Sequence, residues 1–381
     1  MEKNGIYICA GQNLKNNASG ITKKILNQIK ILENTGYNVQ LINISNQVDN
    51  KLDKIKFILP GIMSSYEKKM IALNSQKINW ENISFVYIRK MTFCKGFIKM
   101  IKNIRKKSPE MLIFLEVPTY PLNGEYRGVK IILRALNFYY SKSLKKYIDY
   151  IITYSDDDFI WGIKTIRISN AVDFNIIEKK QESKSKDIHM IAVAKFDFWH
   201  GYDRLLKGIR DYYENYYGKQ GNVKVYLYLV GDGPKLDDYK KYIKSYSLEK
   251  YVKVEGEKYG AELDEIYNKC NIAIDALGRH RSKVFYNSSL KGKEYGAKGL
   301  PIVSGVKTEL DGYQDYLYYM RVEADDSPVN IKNIIKFYNK VYSEKSEAEV
   351  IDSIRNKNKK YFEINSAFYP VIRIIKEGEK I

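Results

Sequence analysis

The segment that decides the fold is Ser288-Ser289-Leu290-Lys291-Gly292-Lys293-Glu294-Tyr295-Gly296-Ala297-Lys298-Gly299-Leu300-Pro301-Ile302-Val303-Ser304-Gly305. Two serines that can cap a helix stand before one turn of mixed basic and acidic residues. A run of small residues and a Gly-Leu-Pro turn follow, and β-branched residues come next. The segment therefore predicts a helix that begins near the two serines and leads through a turn into a strand.

The start of this helix combines groups that suit phosphate with a group that suits hydroxyls. The N–H groups at a helix N-terminus favour a phosphate. Lys291 adds a positive charge, and the carboxylate of Glu294, one turn further on, can accept hydrogen bonds from hydroxyls. A nucleotide diphosphate-sugar requires both kinds of contact, so we expect such a ligand at this helix.

The length and composition of the chain indicate a globular protein. Its 381 residues are enough for two domains, and 44% hydrophobic residues are enough for buried cores. Cys9, Cys94 and Cys270 form neither a disulfide framework nor a CxxC metal pattern. No signal peptide is visible, and no apolar run approaches the roughly 20 residues of a membrane span. We therefore expect a cytoplasmic protein.

The net charge of +19 calls for an anionic partner. Nucleic acid, an anionic membrane surface and phosphorylated substrates are the classes to weigh. Lysine is abundant together with tyrosine, isoleucine and asparagine, which is typical of an AT-rich genome. No helix-turn-helix, zinc-finger or RNP pattern is present. We therefore expect no nucleic acid partner.

Strand-like and helical runs alternate almost throughout the chain. The predicted strands are residues 5–10, 38–42, 85–89, 112–116 and 150–154 in a first series, and residues 188–194, 224–230, 252–255, 272–276 and 301–304 in a second. Such alternation favours parallel sheets covered by helices. The predicted fold class is α/β, with two Rossmann-like, doubly wound domains that face a central cleft and hold their ligand at the carboxyl ends of the strands.

The polar segment 178–187 is predicted to be a linker. We place the N-terminal domain at residues 1–175 and the C-terminal domain at 176–363. The final segment, 357–381, reads as helix with a break near Pro370. Its last part, 364–381, is expected to pack back on the N-terminal domain.

Two loops of the second series can hold a ligand at the carboxyl edge of the sheet. Lys195 and His200 follow the strand 188–194, before a helix that opens near Asp203, and could neutralise a diphosphate leaving group. In the second loop, Gly231 and Gly233 permit close approach of a backbone. The alternatives are a solvated loop for the first and a plain structural turn for the second.

The order of these motifs resembles that of retaining glycosyltransferases of the family 4 type, which have the GT-B fold, and of bacterial polysaccharide-assembly relatives among them. The resemblance spans nearly the whole chain and is densest from Asn170 to Gly305. The matching segments are Ser19-Gly20, residues 168–173, Ala194-Lys195 with His200-Gly201, residues 229–234, residues 254–256, Glu262-Leu263 with Tyr267, and Leu290-Lys291 with Glu294-Tyr295 and residues 299–301.

The resemblance implies a donor site on the C-terminal domain. Lys195 stands where the family usually has an arginine on the donor diphosphate, and His200 where it usually has a lysine, so that the charge of His200 would depend on pH. Glu294 matches the second of two paired glutamates, the one that resembles a ribose ligand, whereas Tyr286 occupies the place of the first. Lys291 is the further candidate for phosphate. The donor-binding set is Gly20, Gly231, Gly233, Ser288, Ser289, Leu290 and Glu294.

The N-terminal domain of such enzymes receives the acceptor, and three residues after its strands are candidates for that side. They are Arg89, Glu116 and Tyr120. The alternative is structural: backbone amides satisfy Glu116, and Arg89 pairs with it. The histidine that many relatives have in this region is missing.

Two other motifs have competing explanations. Asp156-Asp157-Asp158 resembles the Asp-x-Asp metal motif of the other large glycosyltransferase fold, but its position favours an N-cap and first turn of a helix, so we predict no metal site. Arg279-His280-Arg281 follows the strand 272–276 and could contact phosphate or acceptor, or form a basic surface loop.

Two basic helical stretches of the first domain, Lys95–Lys107 and Arg127–Lys146, mix lysine with apolar residues. Such faces could rest on anionic lipid, or bury their apolar side in the core. Peripheral association with the inner face of the cell membrane is therefore an expectation.

The sequence thus predicts a glycosyltransferase, of the hexosyltransferase type, that acts on a nucleotide-sugar donor. The acceptor would be a glycan or a polyprenyl-linked glycan, with retention of configuration and no cofactor. Lys195, Lys291 and His200 would stabilise the leaving diphosphate. A GT-B sugar-nucleotide epimerase or inverting transferase, and a non-catalytic glycan-binding or partner protein, are the alternatives.

Overall fold

The computed structural model describes residues 3–14, 20–45, 63–73, 78–121, 131–183, 185–219 and 223–378. The chain divides into two compact units. The first consists of residues 1–168 together with 367–381, and the second consists of residues 169–366. Each unit has its own sheet with helices between the strands.

Strands and helices alternate along the described part of the first unit. The strands are β1 (Lys3–Ala10), β2 (Tyr37–Ile44), β3 (Ile83–Arg89), β4 (Leu112–Val117), β5 (Tyr150–Thr153), β6 (Phe159–Ile160) and β7 (Ile163–Arg167). The helices are α1 (Gly20–Asn34), α2 (Ser65–Ala72), α3 (Lys95–Lys107) and α4 (Ile131–Ser141). The strand order is β2-β1-β3-β4-β5-β7-β6, with parallel pairing except between β6 and β7.

The first helix shows how the sequence positions the first unit's polar groups. Ile25, Ile29 and Leu32 are buried, and their spacing of four and three residues gives one apolar stripe against the sheet. Gly36, with φ of +94°, follows the helix in the left-handed conformation that suits glycine. Lys24 lies beside the buried stripe, close to the start of the helix.

The second unit has the strand order of a Rossmann sheet. Its strands are β8 (Ile188–Val193), β9 (Val225–Val230), β10 (Val252–Gly256), β11 (Ile272–Ile274), β12 (Ile302–Ser304) and β13 (Tyr319–Arg321). The helices are α5 (Tyr202–Asn215), α6 (Leu236–Ser245), α7 (Gly260–Lys269), α8 (Leu290–Lys298), α9 (Ile331–Tyr342) and α10 (Glu347–Phe362). The strand order is β10-β9-β8-β11-β12-β13, and all neighbouring strands are parallel. The chain adds β9 and β10 on one side of β8, and β11 to β13 on the other, so the order reverses between β8 and β11. Such sheets bind ligands at this switch point.

The predicted alternation of strands and helices is confirmed, since an observed strand overlaps each predicted one. Three short strands, β6, β7 and β13, were not predicted. β6 has two residues and β13 has three, lengths at which no alternating pattern can be recognised.

The segment 178–187 lies inside the second unit, so its prediction as the linker is wrong. The backbone N–H of Lys180 donates to the carbonyl of Lys298 at 3.0 Å. Lys180 Nζ is buried and lies 2.6 Å from Glu347 Oε1, an ion pair that composition alone does not reveal. The division falls after Ile168, whereas the sequence placed the boundary after residue 175.

The last helix, α11 (Ile364–Glu377), continues through Pro370, so the predicted break near this proline is wrong. The interruption lies at Glu363, which has extended backbone and ends α10. From Ala367 onward the helix belongs to the first unit, where the Phe368 ring lies 5.8 Å from that of Tyr87.

Candidate functional site

Ser289 caps helix α8 and ties it to the end of strand β11. Its Oγ accepts a hydrogen bond from the Gly292 N–H at 3.1 Å and donates to Asp275 Oδ1 at 2.9 Å. Asp275 follows β11 and is 7% exposed, and this burial raises the pKa of its carboxyl group. The N-terminus of α8 is therefore fixed at the carboxyl edge of the second sheet.

Lys291 lies on the first turn of α8, and Glu294, which follows on the next turn, contacts it. Lys291 Nζ is 2.6 Å from Glu294 Oε2, and the two side chains are 39% and 29% exposed. Both head groups can therefore reach a ligand from solvent. The structure brings together the two residues on which the sequence placed diphosphate and ribose.

Ser288 and Leu290 have structural contacts that the sequence did not predict. Ser288 is buried, and its Oγ accepts the backbone N–H of Asn170 at 2.8 Å. Asn170 Nδ2 also donates to the Ser288 carbonyl. Leu290 packs against the core of the second unit. These two side chains hold the start of α8 in place, and the Ser289 hydroxyl forms the helix cap.

The loops after β8 and β9 press against each other through glycine. A Cβ on Gly231 would lie 2.0 Å from the Ala194 carbonyl oxygen, and one on Gly233 would lie 2.4 Å from that of Phe196. Both glycines have positive φ, +130° and +147°. Their role in this structure is close packing of backbones, which keeps the exposed side chain of Lys195 at the carboxyl edge of the sheet.

His200 is a neutral hydrogen-bonding group at neutral pH, so its predicted cationic role is not supported. Burial, followed by the charge of Arg279, lowers the pKa of His200 to about 4. Its Nδ1 accepts the backbone N–H of Asp197 at 2.9 Å. The ring proton of the neutral form consequently resides on Nε2, which can donate one hydrogen bond.

The basic triplet after β11 is held by carboxylates. Both terminal nitrogens of Arg281 donate to Asp203, each at 2.8 Å, and its Nε donates to Asp326 at 2.6 Å. His280 Nε2 lies 3.1 Å from Asp326. Arg279 stacks near the Trp199 ring at 5.6 Å. Arg281 therefore fixes the triplet to α5 rather than offering its guanidinium to a ligand.

Tyr286 stands where the family resemblance places the first of the two glutamates, and it contacts a lysine. Its backbone forms a parallel bridge with Lys307, whose Nζ lies 5.8 Å from the centre of the Tyr286 ring. The side chain is half-buried. A neutral phenol is a weaker acceptor for sugar hydroxyls than a charged carboxylate.

In the first unit, Glu116 lies at the centre of a buried polar cluster at the carboxyl ends of β3 and β4. Arg89 Nη1 is 2.6 Å from Glu116 Oε1, and Lys24 Nζ is 3.5 Å from the same oxygen. Tyr87 and Gln28 donate to Oε2 at 2.7 Å and 3.1 Å. Burial opposes ionisation, but Arg89 and Lys24 lower the pKa of Glu116 to about 2.

The hydrogen-bond partners of Glu116 are thus side chains, not the backbone amides that the structural alternative predicted. The other part of that alternative, a pair between Arg89 and Glu116, is confirmed. Glu116 is fully buried, so it reaches a substrate only through its partners. Sequence reasoning missed Lys24, whose place on a helix far from Glu116 in sequence gave no signal. Tyr120 packs edge-on against Trp161, with the ring centres 6.1 Å apart.

Residues 173–277 match the family model described as "Glycosyl transferases group 1". By its domain content, the chain is a glycosyltransferase. The matched range contains β8 to β11 and the loops with Lys195, His200 and Gly231. No curated protein sequence matches this glycosyltransferase.

Solved structures resemble the glycosyltransferase over its whole length. One is the apo form of the lipopolysaccharide outer core galactosyltransferase WaaB, with 14% identity, a TM-score of 0.63, and coverage of 98% of this chain and 100% of that one. Another is Anabaena Alr3699/HepE in complex with UDP, with 13% identity, a TM-score of 0.65, and coverage of 98% and 100%. A glycosyltransferase from Rickettsia africae ESF-5 has 13% identity, a TM-score of 0.64, and coverage of 99% and 98%. At such identities the likeness shows the fold, which is GT-B.

The remaining predicted residues of the glycosyltransferase have mixed outcomes. Helix α1 begins at Gly20, and Ser19 lies outside the described residues. The aspartates 156–158 open no helix, so their prediction as a first turn is wrong: they precede the two-residue strand β6. Asp157 accepts from Ser155 at 2.7 Å, and Asp158 pairs with Arg167 at 2.7 Å. Within the described ranges, no three His, Cys, Asp or Glu side chains gather as metal ligands.

The two basic stretches differ in what they expose. Helix α3 buries Phe97, Met100, Ile101 and Ile104 in the core. Helix α4 exposes Phe138 and Tyr139, at 66% and 67% of their surface. Residues 127–130 of the second stretch lie outside the described residues. No helix among the described residues has the length and apolarity to cross a membrane.

A cavity of about 340 Å³ lies between α5 and the start of α9 in the second unit. Its lining includes Asp211, Tyr212, Asn215, Tyr216 and Lys332. None of the residues predicted to bind the donor contributes to it.

Proposed function

We propose that this glycosyltransferase transfers a hexose from a nucleotide diphosphate-sugar to a glycan or a lipid-linked glycan. The observation that carries the proposal is the pair Lys291 and Glu294 on the capped N-terminus of α8, beside the direction reversal of a Rossmann sheet. Solved relatives of the same fold are complexes with UDP and with UDP-glucose, which supports a nucleotide-sugar donor.

The chemistry we propose is stabilisation of the leaving diphosphate by fixed charges and dipoles. Lys291, the exposed Lys195 and the N–H groups at the start of α8 supply positive potential. Neutral His200 adds a hydrogen bond from Nε2. Glu294 accepts hydrogen bonds from the ribose hydroxyls. These bonds replace part of the contact that Glu294 makes with Lys291 in the structure.

The proposed transfer retains the anomeric configuration and uses no metal. The bond between the sugar C1 and the diphosphate oxygen breaks, and a bond from C1 to the acceptor oxygen forms on the same face. The acceptor hydroxyl gives its proton to the departing diphosphate, so no protein base is needed.

We also propose a role in cell-surface polysaccharide or glycoconjugate synthesis, at the cytoplasmic face of the membrane. The location at the membrane is supported by two exposed aromatic residues of α4, Phe138 and Tyr139. The exposed basic residues Arg134, Lys142 and Lys145 lie near them. Lys142 Nζ lies 4.9 Å from the centre of the Phe138 ring. Aromatic side chains beside basic ones suit the interface of an anionic bilayer.

Co-sedimentation with vesicles tests this location. The wild type should bind vesicles that contain anionic lipid and not neutral vesicles, and replacing both Phe138 and Tyr139 by alanine should remove most of the binding. Phe159→Ala is the matched control, because Phe159 is exposed to 64% elsewhere in the same unit. Equal binding by the double variant would contradict the docking role of α4.

A donor screen tests the catalytic proposal. Purified protein is incubated with a panel of nucleotide-sugars, and the release of nucleotide diphosphate is measured. In a separate assay, the Tm of the protein is measured with and without each nucleotide diphosphate. We expect one donor to be hydrolysed slowly and its nucleotide diphosphate to raise Tm. If no donor turns over and no nucleotide diphosphate shifts Tm, the transferase proposal is wrong.

One observation favours a second candidate, a non-catalytic protein that binds glycan or supports a partner enzyme. Tyr286 replaces the glutamate that the family resemblance places on the transferred sugar, and Lys307 lies beside it. Binding of a nucleotide diphosphate without turnover of any donor, even with acceptor glycans present, would favour this candidate.

A further inference from the structure

The cavity between α5 and α9 lies at the amino edge of the second sheet, opposite the edge that carries the candidate donor site. Helix α5 begins just after the loop with Lys195 and His200, and its 14 residues make it roughly 20 Å long. Its far end reaches the start of β9, where the Tyr212 hydroxyl donates to the Val223 carbonyl at 2.7 Å. The last turns of α5 form one wall of the cavity, which is therefore separate from the donor site.

Two contacts fix the walls of this cavity relative to each other. Arg204 is 1% exposed and donates from Nε to the Ser327 carbonyl at 2.8 Å and from Nη2 to the Glu323 carbonyl at 2.9 Å. Gly208 allows close approach of the same segment, since a Cβ there would lie 1.9 Å from the Val329 carbonyl oxygen. The segment before α9 is thus tied to α5, and such preformed walls lower the cost of ordering on binding.

The lining combines polar side chains with an aromatic ring. The polar side chains belong to Asp211, Asn215, Asn330 and Lys332. Lys332 Nζ lies 3.8 Å from the centre of the Tyr216 ring, a cation–π contact that holds the ammonium at the cavity. Asn330 Oδ1 accepts the Lys332 backbone N–H at 3.0 Å, so the amide nitrogen of Asn330 can donate to a ligand.

Opposite charges balance around the cavity. Asp211 Oδ1 accepts two hydrogen bonds from Arg210, at 3.0 Å and 2.6 Å, and the second carboxylate oxygen can accept bonds from a ligand. Arg210 Nε also lies 3.8 Å from Glu214. With Lys332, these described residues make two basic and two acidic side chains. A neutral ligand rich in hydroxyl groups suits this arrangement, because each hydroxyl can both donate and accept a hydrogen bond.

We propose that this cavity binds a neutral sugar unit of a glycan. Its volume of about 340 Å³ is near the lower end of the roughly 300–1,000 Å³ that ligand sites have, which suits one or two sugar rings. The sugar hydroxyls bond to Asp211, Asn330 and Lys332, and the C–H groups of the sugar contact the Tyr216 ring. The site goes beyond the proposed transfer reaction, since it holds a glycan whether or not a nucleotide is bound.

Titration of neutral disaccharides into the full-length protein, followed by saturation-transfer-difference NMR, tests the site. The probes are maltose, lactose and N,N′-diacetylchitobiose, and the proteins compared are wild type, Asn215→Trp and Asn333→Trp. Asn215 is exposed and lines the cavity, so a tryptophan there would fill the cavity while Arg204 and Gly208 keep their contacts. Asn333 is the matched control, an exposed asparagine of α9 outside the lining.

We expect at least one disaccharide to bind the wild type, Asn215→Trp to weaken its binding about tenfold or more, and Asn333→Trp to leave it unchanged. If none of the three disaccharides binds the wild type, or if Asn215→Trp binds as tightly as the wild type, the inference is wrong. Inorganic phosphate is titrated as a charged probe, because the cavity also adjoins the N-terminus of α9. Phosphate binding that Asn215→Trp removes, without binding of any disaccharide, would likewise overturn the proposal.

A second measurement needs no variant to fold. Wild-type protein is acetylated with and without the disaccharide that binds, and mass spectrometry follows each lysine. The disaccharide should slow acetylation of Lys332 but not of Lys336, which is exposed one turn further along α9. Unchanged labelling of Lys332 would contradict the site.

The variant Lys291→Ala separates this site from the donor site. Disaccharide binding should be the same in Lys291→Ala as in the wild type. Binding that is lost in Lys291→Ala and kept in Asn215→Trp would place the sugar at the donor site and overturn the inference. Failure of the proposed transferase function would appear in the donor screen instead, because the disaccharide titration requires no donor.

Discussion

Ser289 Oγ lies 2.9 Å from Asp275 Oδ1 while it accepts the Gly292 N–H at 3.1 Å. One hydroxyl thus caps the helix that begins the candidate donor site and satisfies a buried carboxyl group at the end of β11. The proposed site depends on this contact, because it sets where Lys291 and Glu294 stand relative to the sheet.

Ser289→Ala should destabilise the protein more than loss of an ordinary cap. Loss of the cap costs about 1 kcal/mol. Asp275 also loses the hydrogen bond from Ser289, which adds about 1–3 kcal/mol. Ser346→Ala is the matched control, because Ser346 caps α10 at an exposed position. Urea unfolding should show the larger loss for Ser289→Ala, and equal losses would mean that Asp275 does not depend on Ser289.

Gly231→Ala should distort the loop that positions Lys195. The new Cβ would lie 2.0 Å from the Ala194 carbonyl oxygen, a distance that side chains cannot adopt. Gly256→Ala is the control, because Gly256 also has positive φ, of +70°, but open space around it. We expect Gly256→Ala to cost about 1–2 kcal/mol from the backbone alone and Gly231→Ala to lower Tm further. A similar Tm for both would show that the two loops are not pressed together.

The contacts of Gly231 show why part of the site could be predicted from sequence and part could not. The strand-loop-helix order around Lys195, Gly231 and Lys291 is local, and hydrophobic periodicity with turn residues reveals it. Which backbone touches Gly231 is a long-range fact that no local pattern contains. The same limit hid Lys24, because its partner Glu116 lies in a strand remote in sequence.

Glu116→Gln should strongly destabilise the first unit and reduce its response to acid. The change removes the carboxylate that Arg89 and Lys24 contact, and breaking such a buried pair costs about 3–5 kcal/mol. The folded pKa of Glu116, about 2, lies below its ordinary value of 4.5, so its contribution is present above pH 4.5 and is lost as pH falls towards 2. Unfolding free energies of wild type and variant should therefore converge in that range. A constant difference from pH 6 to pH 3 would contradict the assignment.

His200 should act as a neutral group in the function and as an acid-labile one in stability. Its folded pKa, about 4, lies below the ordinary 6.5, so stability is complete above pH 6.5 and is lost as pH falls towards 4. His200→Gln should weaken this pH dependence in urea unfolding at pH 7.0 and 4.5. Nucleotide affinity of the wild type should show no titration of His200 between pH 6 and 8. A titration near pH 6.5 that disappears in His200→Gln would show that the imidazole is charged in the site.

Binding of nucleotide diphosphate to variants of α8 tests the central claim most directly. UDP is titrated by calorimetry into wild type, Lys291→Ala, Glu294→Ala and Glu214→Ala, the last a control in which an exposed glutamate of α5, 3.8 Å from Arg210, is removed. We predict that Lys291→Ala and Glu294→Ala each weaken binding about tenfold or more, by loss of a charge-assisted contact of about 1.5–3 kcal/mol, while Glu214→Ala binds as the wild type does. Unchanged affinity in both α8 variants would contradict a donor site at the start of this helix.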